Sequence, residues 1–133
     1  MSIERFDIRT HSRNCAVDIT AKVAEAVGKV TADDGIAVIY VPHTTAGITV
    51  NEGADPDVMR DVLTFLEKQV PQSGDYRHAE GNSDSHIKAS LVGASTTVLI
   101  SAGRLLLGTW QKIFFMEFDG PRDRHFFVKI ISS

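Results

Sequence analysis

Three histidines, His43, His78 and His86, stand in the most polar stretches of the chain, "PHTTAGITVNE" and "DYRHAEGNSDSH". Imidazole nitrogens from separate segments are the donor set of a divalent metal site that keeps one position open for water or substrate, and zinc suits them best. Spacing alone is a weak signal for this. His78 and His86 each lie four residues from Asn82, a gap that matches no zinc motif, and Gly81 interrupts any single helix that would present both rings. The competing reading is that they are solvated loop histidines. His11 and His125 lack such polar surroundings and are read as structural.

Charge on apolar rows is the second signal. Strand parity in "HTTAGITVNE" puts Ala46, Ile48 and Val50 on one face, and Glu52 continues that row. In the last segment Phe126, Val128 and Ile130 share a face that Arg124 and Arg122 extend. A charge at the mouth of an apolar face is costly unless it is paired or lines a cleft. Two arginines at alternate positions project to the same side and suit phosphate oxygens, and Glu52 could serve as a general base on metal-bound water. The alternative is that the arginines pair with Glu52, Glu117 or Asp119 and only hold strands together. Trp110, in "GRLLLGTWQ", offers a flat face for a substrate ring, or simply packs in the core. No Gly-x-Gly-x-x-Gly or Walker-type loop is present. Cys15, the one cysteine, is read as a core thiol.

These residues need elements to position them. Ile3 to Arg9 alternates as a first strand, which "CAVDIT" extends or pairs with. From Asp18 the period turns helical through Val23, Ala26, Val27 and Val30, and "ADDG" closes the segment. "GIAVIYV" is apolar on both faces, as for a central strand covered on both sides. "DPDVMRDVLTFLEKQVP" starts a helix with Asp55 as cap and Pro56 in the first turn, and Val58, Val62, Phe65 and Leu66 form its apolar face. Gln72 to Ser83 runs over the surface, and "SDSHIKASLVG" is a short helix with Ile87 and Leu91 inward. "TTVLISA", "KIFFMEFD" and "RHFFVKIIS" are strands, the last two joined as a hairpin at "DGPR".

The whole reads as one α+β domain over residues 1–133. A net charge of −3 with scattered lysines and arginines gives no footprint for nucleic acid. The longest apolar run, Ile36 to Val41, is too short to span a membrane. One cysteine and a start, "MSIERFDIRT", without a signal-peptide core point to a reducing, cytoplasmic setting.

The segments "HTTAGITVNE", "DPDV", "DYRHAEGNSDSHIKASLVG" and "LLLGTWQKIFFMEFDGPRDR", in this order, resemble the YjbQ-like family, also called the secondary thiamine-phosphate synthase family, over essentially the full chain. The resemblance implies a small α+β protein with a mixed, largely antiparallel sheet covered by about three helices, assembled as a homotrimer with pockets near subunit boundaries. It also implies a side activity that joins a pyrimidine pyrophosphate to a thiazole phosphate, giving thiamine phosphate. Its polar positions fall on His43, Thr44, Thr45, Asn51 and Glu52; on His78, Asn82 and His86; and on Gly108, Trp110, Gln111, Glu117, Asp119, Arg122 and Arg124. From these come the expected roles. Glu52, Asn51, Arg122 and Arg124 are catalytic; Thr44, Thr45, Asn82, Trp110, Gln111 and Asp119 bind substrate; His43, His78 and His86 hold the metal, zinc, or magnesium where pyrophosphate brings it. "TTVLISAGR" departs from the family pattern by having Leu99 and Ile100 where a proline is expected. Two alternatives of other classes stand beside this: a metal-dependent hydrolase of a small metabolite, and a trimer that binds a metal or metabolite without turnover.

Overall fold

The computed structural model describes residues 2–30 and 33–133. Its elements run β1 (Ile3–Arg9), β2 (Cys15–Asp18), α1 (Thr20–Gly28), β3 (Gly35–Tyr40), β4 (Ala46–Glu52), α2 (Pro56–Gln69), α3 (Ser83–Val92), β5 (Ser95–Ser101), β6 (Arg104–Leu105), β7 (Gln111–Glu117) and β8 (Asp123–Ser132). Of the expected stop "ADDG", Ala32 lies outside the described residues.

The strands form two sheets, one of order β1-β8-β3-β5-β6 and one of order β2-β7-β4. Every pairing among them is antiparallel, so the expected mixed sheet is instead a pair of antiparallel ones. Strand β2 pairs with β7 rather than β1. The "DGPR" segment is not a hairpin either, because β7 and β8 belong to different sheets and the chain crosses between them there. That crossing is what places Glu117, Asp119, Arg122 and Arg124 at one end of both sheets.

Alternation along each strand divides the molecule into layers. Ile113 and Phe115 of β7 face the main core with Ile48, Phe126, Ile39 and the Val23, Ala26 and Val27 face of α1. Phe114 and Met116 point the other way, and there α2 and α3 cover them with Met59, Val62, Leu63, Leu66 and Ala89. On α2 the expected cap is formed, with Asp55 accepting the Asp57 N–H at 2.9 Å and Pro56 opening the helix. Phe65, expected on its apolar face, is instead exposed.

Two faces differ from expectation. Strand β3 is central, but only Ala37 and Ile39 are covered. Its other face, in register with Leu99 of β5 and with Phe127 and Ile131 of β8, carries Ile36, Val38 and Tyr40, and no helix among the described residues covers it. Helix α3 is inverted: Ile87 and Leu91 point outward, Leu91 being 66% exposed, while Ser83, Asp84, Ser85 and Lys88 are buried. A buried polar face is tolerable only when its charges are paired. Here Asp84 takes Lys88 Nζ at 3.1 Å and Arg13 Nη2 at 3.0 Å, and the Ser85 hydroxyl donates to the Phe118 carbonyl. None of the helices among the described residues is long and apolar enough to cross a membrane.

Candidate functional site

The Thr45 end of β4 and the end of β7 meet because Ala46 pairs with Glu117. Glu117 is fully buried there and carries the densest set of hydrogen bonds in the site. Arg124 donates through Nε to Oε1 at 2.9 Å and through Nη2 to Oε2. Thr10 Oγ1 lies 2.7 Å from Oε1, and the Phe118 and Asp119 N–H groups donate to Oε2 at 3.1 and 3.0 Å. Burial alone would push the Glu117 carboxyl up, but the bonds from Arg124, Thr10 and the Asp119 N–H outweigh it and hold the group below its ordinary range. Arg124 also donates to Thr45 Oγ1 at 2.7 Å, so this fork is committed inside the protein.

The Glu–Arg pair anticipated from strand parity therefore exists, but its acid is Glu117 and not Glu52. Nor do the two arginines project together. Arg122 precedes β8 and its side chain is 50% exposed, whereas that of Arg124 is 4% exposed. Arg122 instead clasps Asp119, donating through Nε to its carbonyl at 2.8 Å and through Nη2 to Oδ2 at 3.1 Å. Asp119 also takes Asn82 Nδ2 at 2.9 Å and Arg13 Nη1 at 3.3 Å.

The histidines gather at this same end. Ladder pairing between β3 and β8 stops at Tyr40 and Phe127, since Pro42 cannot continue it. The His43 ring takes the next place, its Nε2 lying 3.1 Å from the His125 N–H nitrogen and 3.0 Å from the His125 carbonyl oxygen. Whichever tautomer holds, Nε2 is occupied and Nδ1 is the nitrogen left for a ligand. Burial, then the nearby Arg124 and His125, lower the pKa of His43 and favour its neutral form. His43 and Thr44 line a cleft of about 370 Å³ whose far wall is His86 and Ser90. His86 also lines a second cleft of about 400 Å³ with Tyr76, Arg77, His78 and Ser83, where the His78 and His86 rings stand edge to face at 5.2 Å between centroids. Among the described residues no three His, Cys, Asp or Glu side chains converge as a metal site. His78 and His86 are close as a pair; His43 stands across the first cleft from them.

The remaining site residues lie elsewhere. Glu52 pairs with Gln111 at the opposite end of β4, six residues from Ala46, or about 20 Å along a strand. Its Oε2 accepts the Asp55 N–H at 3.0 Å, and Asn51 Oδ1 accepts the Glu52 N–H at 2.7 Å, so both organise the turn into α2. Trp110 is 62% exposed beside them, neither core nor cleft floor, and Gln111 Oε1 accepts the Gly108 N–H. In one chain the expected site is thus two clusters. Thr10, Arg13, Asp84, Ser85 and Lys88 belong to the histidine end without having been singled out from sequence. The only signal for them was the Asp84–Lys88 spacing of an i,i+4 pair, which does not reveal burial.

Residues 4–133 match the family model described as UPF0047 protein YjbQ-like. The chain belongs to this family. The UPF0047 protein of Methanocaldococcus jannaschii is 57% identical over 97% of this chain and 94% of its own length. The Bacillus subtilis UPF0047 protein YugU is 46% identical over 97% of this chain and 98% of its own. Among solved structures, a YjbQ/UPF0047 protein of Clostridium acetobutylicum superposes with a TM-score of 0.95 at 55% identity, covering 96% of this chain and 99% of that one. A hypothetical protein of Aeropyrum pernix K1 superposes at 0.94 with 36% identity over all of both chains. The two-sheet α+β architecture described above is therefore that of solved YjbQ-like structures.

Proposed function

We propose that this YjbQ-like protein is a small-metabolite transferase with secondary thiamine-phosphate synthase activity, joining a pyrimidine pyrophosphate to a thiazole phosphate. The observation that carries this reading is the shared wall: His86 lines two adjoining clefts, as a condensation of two substrates requires. The thiazole nitrogen attacks the methylene of the pyrimidine; the C–N bond forms as the C–O bond to pyrophosphate breaks, and pyrophosphate leaves with the electron pair. That nitrogen starts unprotonated and ends quaternary, so no strong base is needed. The protein's work is to orient both rings and to stabilise the leaving pyrophosphate, with His86 between the two clefts and Arg77 lining the second. The test is thiamine phosphate formation from the two substrates, read by fluorescence after oxidation. No product above the uncatalysed rate, with zinc or magnesium supplied, would overturn the reading. The hydrolase alternative is weakened because Glu52, its intended base, is engaged at the far end of β4.

A divalent metal belongs to this proposal in reduced form. Two imidazoles, His78 and His86, fit one ion as a pair, and the three-histidine set does not close within a single chain. Such an ion, zinc by its nitrogen donors, would neutralise pyrophosphate charge. Elemental analysis should find metal that is lost in His78→Ala and His86→Ala but kept in His43→Ala; retention in all three variants excludes the pair.

The homotrimer is likewise proposed. The uncovered face of the larger sheet, with Tyr40, Leu99 and Ile131 each about half exposed, suits a second copy of the chain. Assembly would also offer a way to bring the Glu52–Trp110 end of one protomer towards the histidine end of another. Sedimentation at micromolar concentration should give a species of three chains, and a monomer there would refute it.

A further inference from the structure

The start of α3 has an acceptor able to cap it, Asn82, and does not use it. The Asn82 amide donates to Asp119 instead, which leaves its Oδ1 buried without a partner. Ser85 and His86 return their N–H groups to the Asn82 carbonyl at 3.0 and 3.3 Å, so those of Ser83 and Asp84 precede the helical ladder. Ser83 is 92% buried, from its 8% exposure, yet among the described residues its hydroxyl has no hydrogen-bond partner, and it lines the cleft it shares with His78 and His86. An uncapped helix start with an unpaired buried hydroxyl beside a cleft presents donors to an acceptor group.

Charge selects the ligand. The cluster behind the helix start holds Arg13, Lys88 and Arg122 against Asp84 and Asp119, three cations to two carboxylates. Asp84, the acid of the first turn, has one oxygen on Arg13 and the other on Lys88, so it projects little free charge forward. Arg77 and Asp75, both exposed, line the cleft and offset each other, and the exposed Glu80 lies 3.8 Å from His78, so the surplus of positive charge comes from the cluster behind the helix start. We infer that the N-terminus of α3 is a subsite for a phosphoryl group, held by the Ser83 hydroxyl and the first-turn N–H groups with His78 and His86 at its sides. This rests on the reading of a phosphorylated substrate and names where its phosphate sits.

The full-length protein is titrated with inorganic pyrophosphate, without added metal, and followed by amide NMR. Saturable shifts are expected at Ser83, Asp84 and Ser85. Ser83→Asp, which keeps an acid-tolerant helix start but places a carboxylate where the phosphoryl group would lie, should raise Kd by about tenfold or more, and Ser83→Ala by roughly threefold. Melting curves establish that both variants fold, and Ser83→Ala carries the test if Ser83→Asp does not. Wild-type affinity in the folded variants, or shifts centred instead on Arg5 and Arg9, would overturn the subsite. Pyrophosphate binding here without condensation activity retires the proposed function and keeps the subsite; condensation without binding here does the reverse.

Discussion

Arg124→Met is expected to destabilise the protein by about 3–5 kcal/mol, because it strands Glu117 as a buried carboxylate with only Thr10 and two backbone N–H groups around it. For a chain of 133 residues this lowers Tm by roughly 10 °C or more. Arg124→Lys keeps the charge but cannot reach both Glu117 oxygens and Thr45 at once, so it should fall between the two. Adding Glu117→Gln to Arg124→Met should recover part of the loss, since the stranded charge is gone. The pH dependence follows from the sign of the shift. Glu117 is held below the ordinary glutamate value of 4.5, so its contribution is present above that value and is lost as pH falls through the folded-state pKa. His43, also lowered, contributes in the same sense but over a higher range, below its ordinary 6.5. Denaturant melts across that range test both signs. A wild-type midpoint in Arg124→Met would mean that the fork does not hold the sheets and would return it to the substrate.

Under the proposed function, His86→Ala should reduce thiamine phosphate formation by roughly 100-fold or more while leaving Tm within a few degrees. The ring is partly exposed between the two clefts, and among the described residues its contact is the edge-to-face ring of His78, which folding does not depend on. Loss of His86 removes a wall from both clefts, so the steady-state parameters for both substrates should change. Glu52→Gln, at the other end of β4, should cost much less per chain. An equal loss in the two variants would place Glu52 at the reacting centre, which within this architecture requires a neighbouring protomer.

Much of the fold was legible because its signals are local. The cap at Asp55 and Pro56, the period of α1 and the alternation of β4, β7 and β8 each depend on a few neighbouring residues, and each element formed where its pattern lay. Strand parity also offered, beside a substrate cleft, the reading that an acid and an arginine pair in an apolar setting. It could not say which glutamate: Glu52 and Glu117 are equally odd in sequence, and only the register of Ala46 against Glu117, with the crossing between sheets at "DGPR", chose between them. The inversion of α3 has the same origin. Its Ile87 and Leu91 look like a core face until Arg13 and Asn14, some 70 residues earlier, arrive to neutralise Asp84 and Lys88. Sequence alone determined which segments are strands and helices and which residue types are able to do chemistry, since those depend on near neighbours. Tertiary structure decided which charges are paired, which histidines share a wall and which hydroxyl is left idle, because a buried polar group is settled by partners the chain brings from far away.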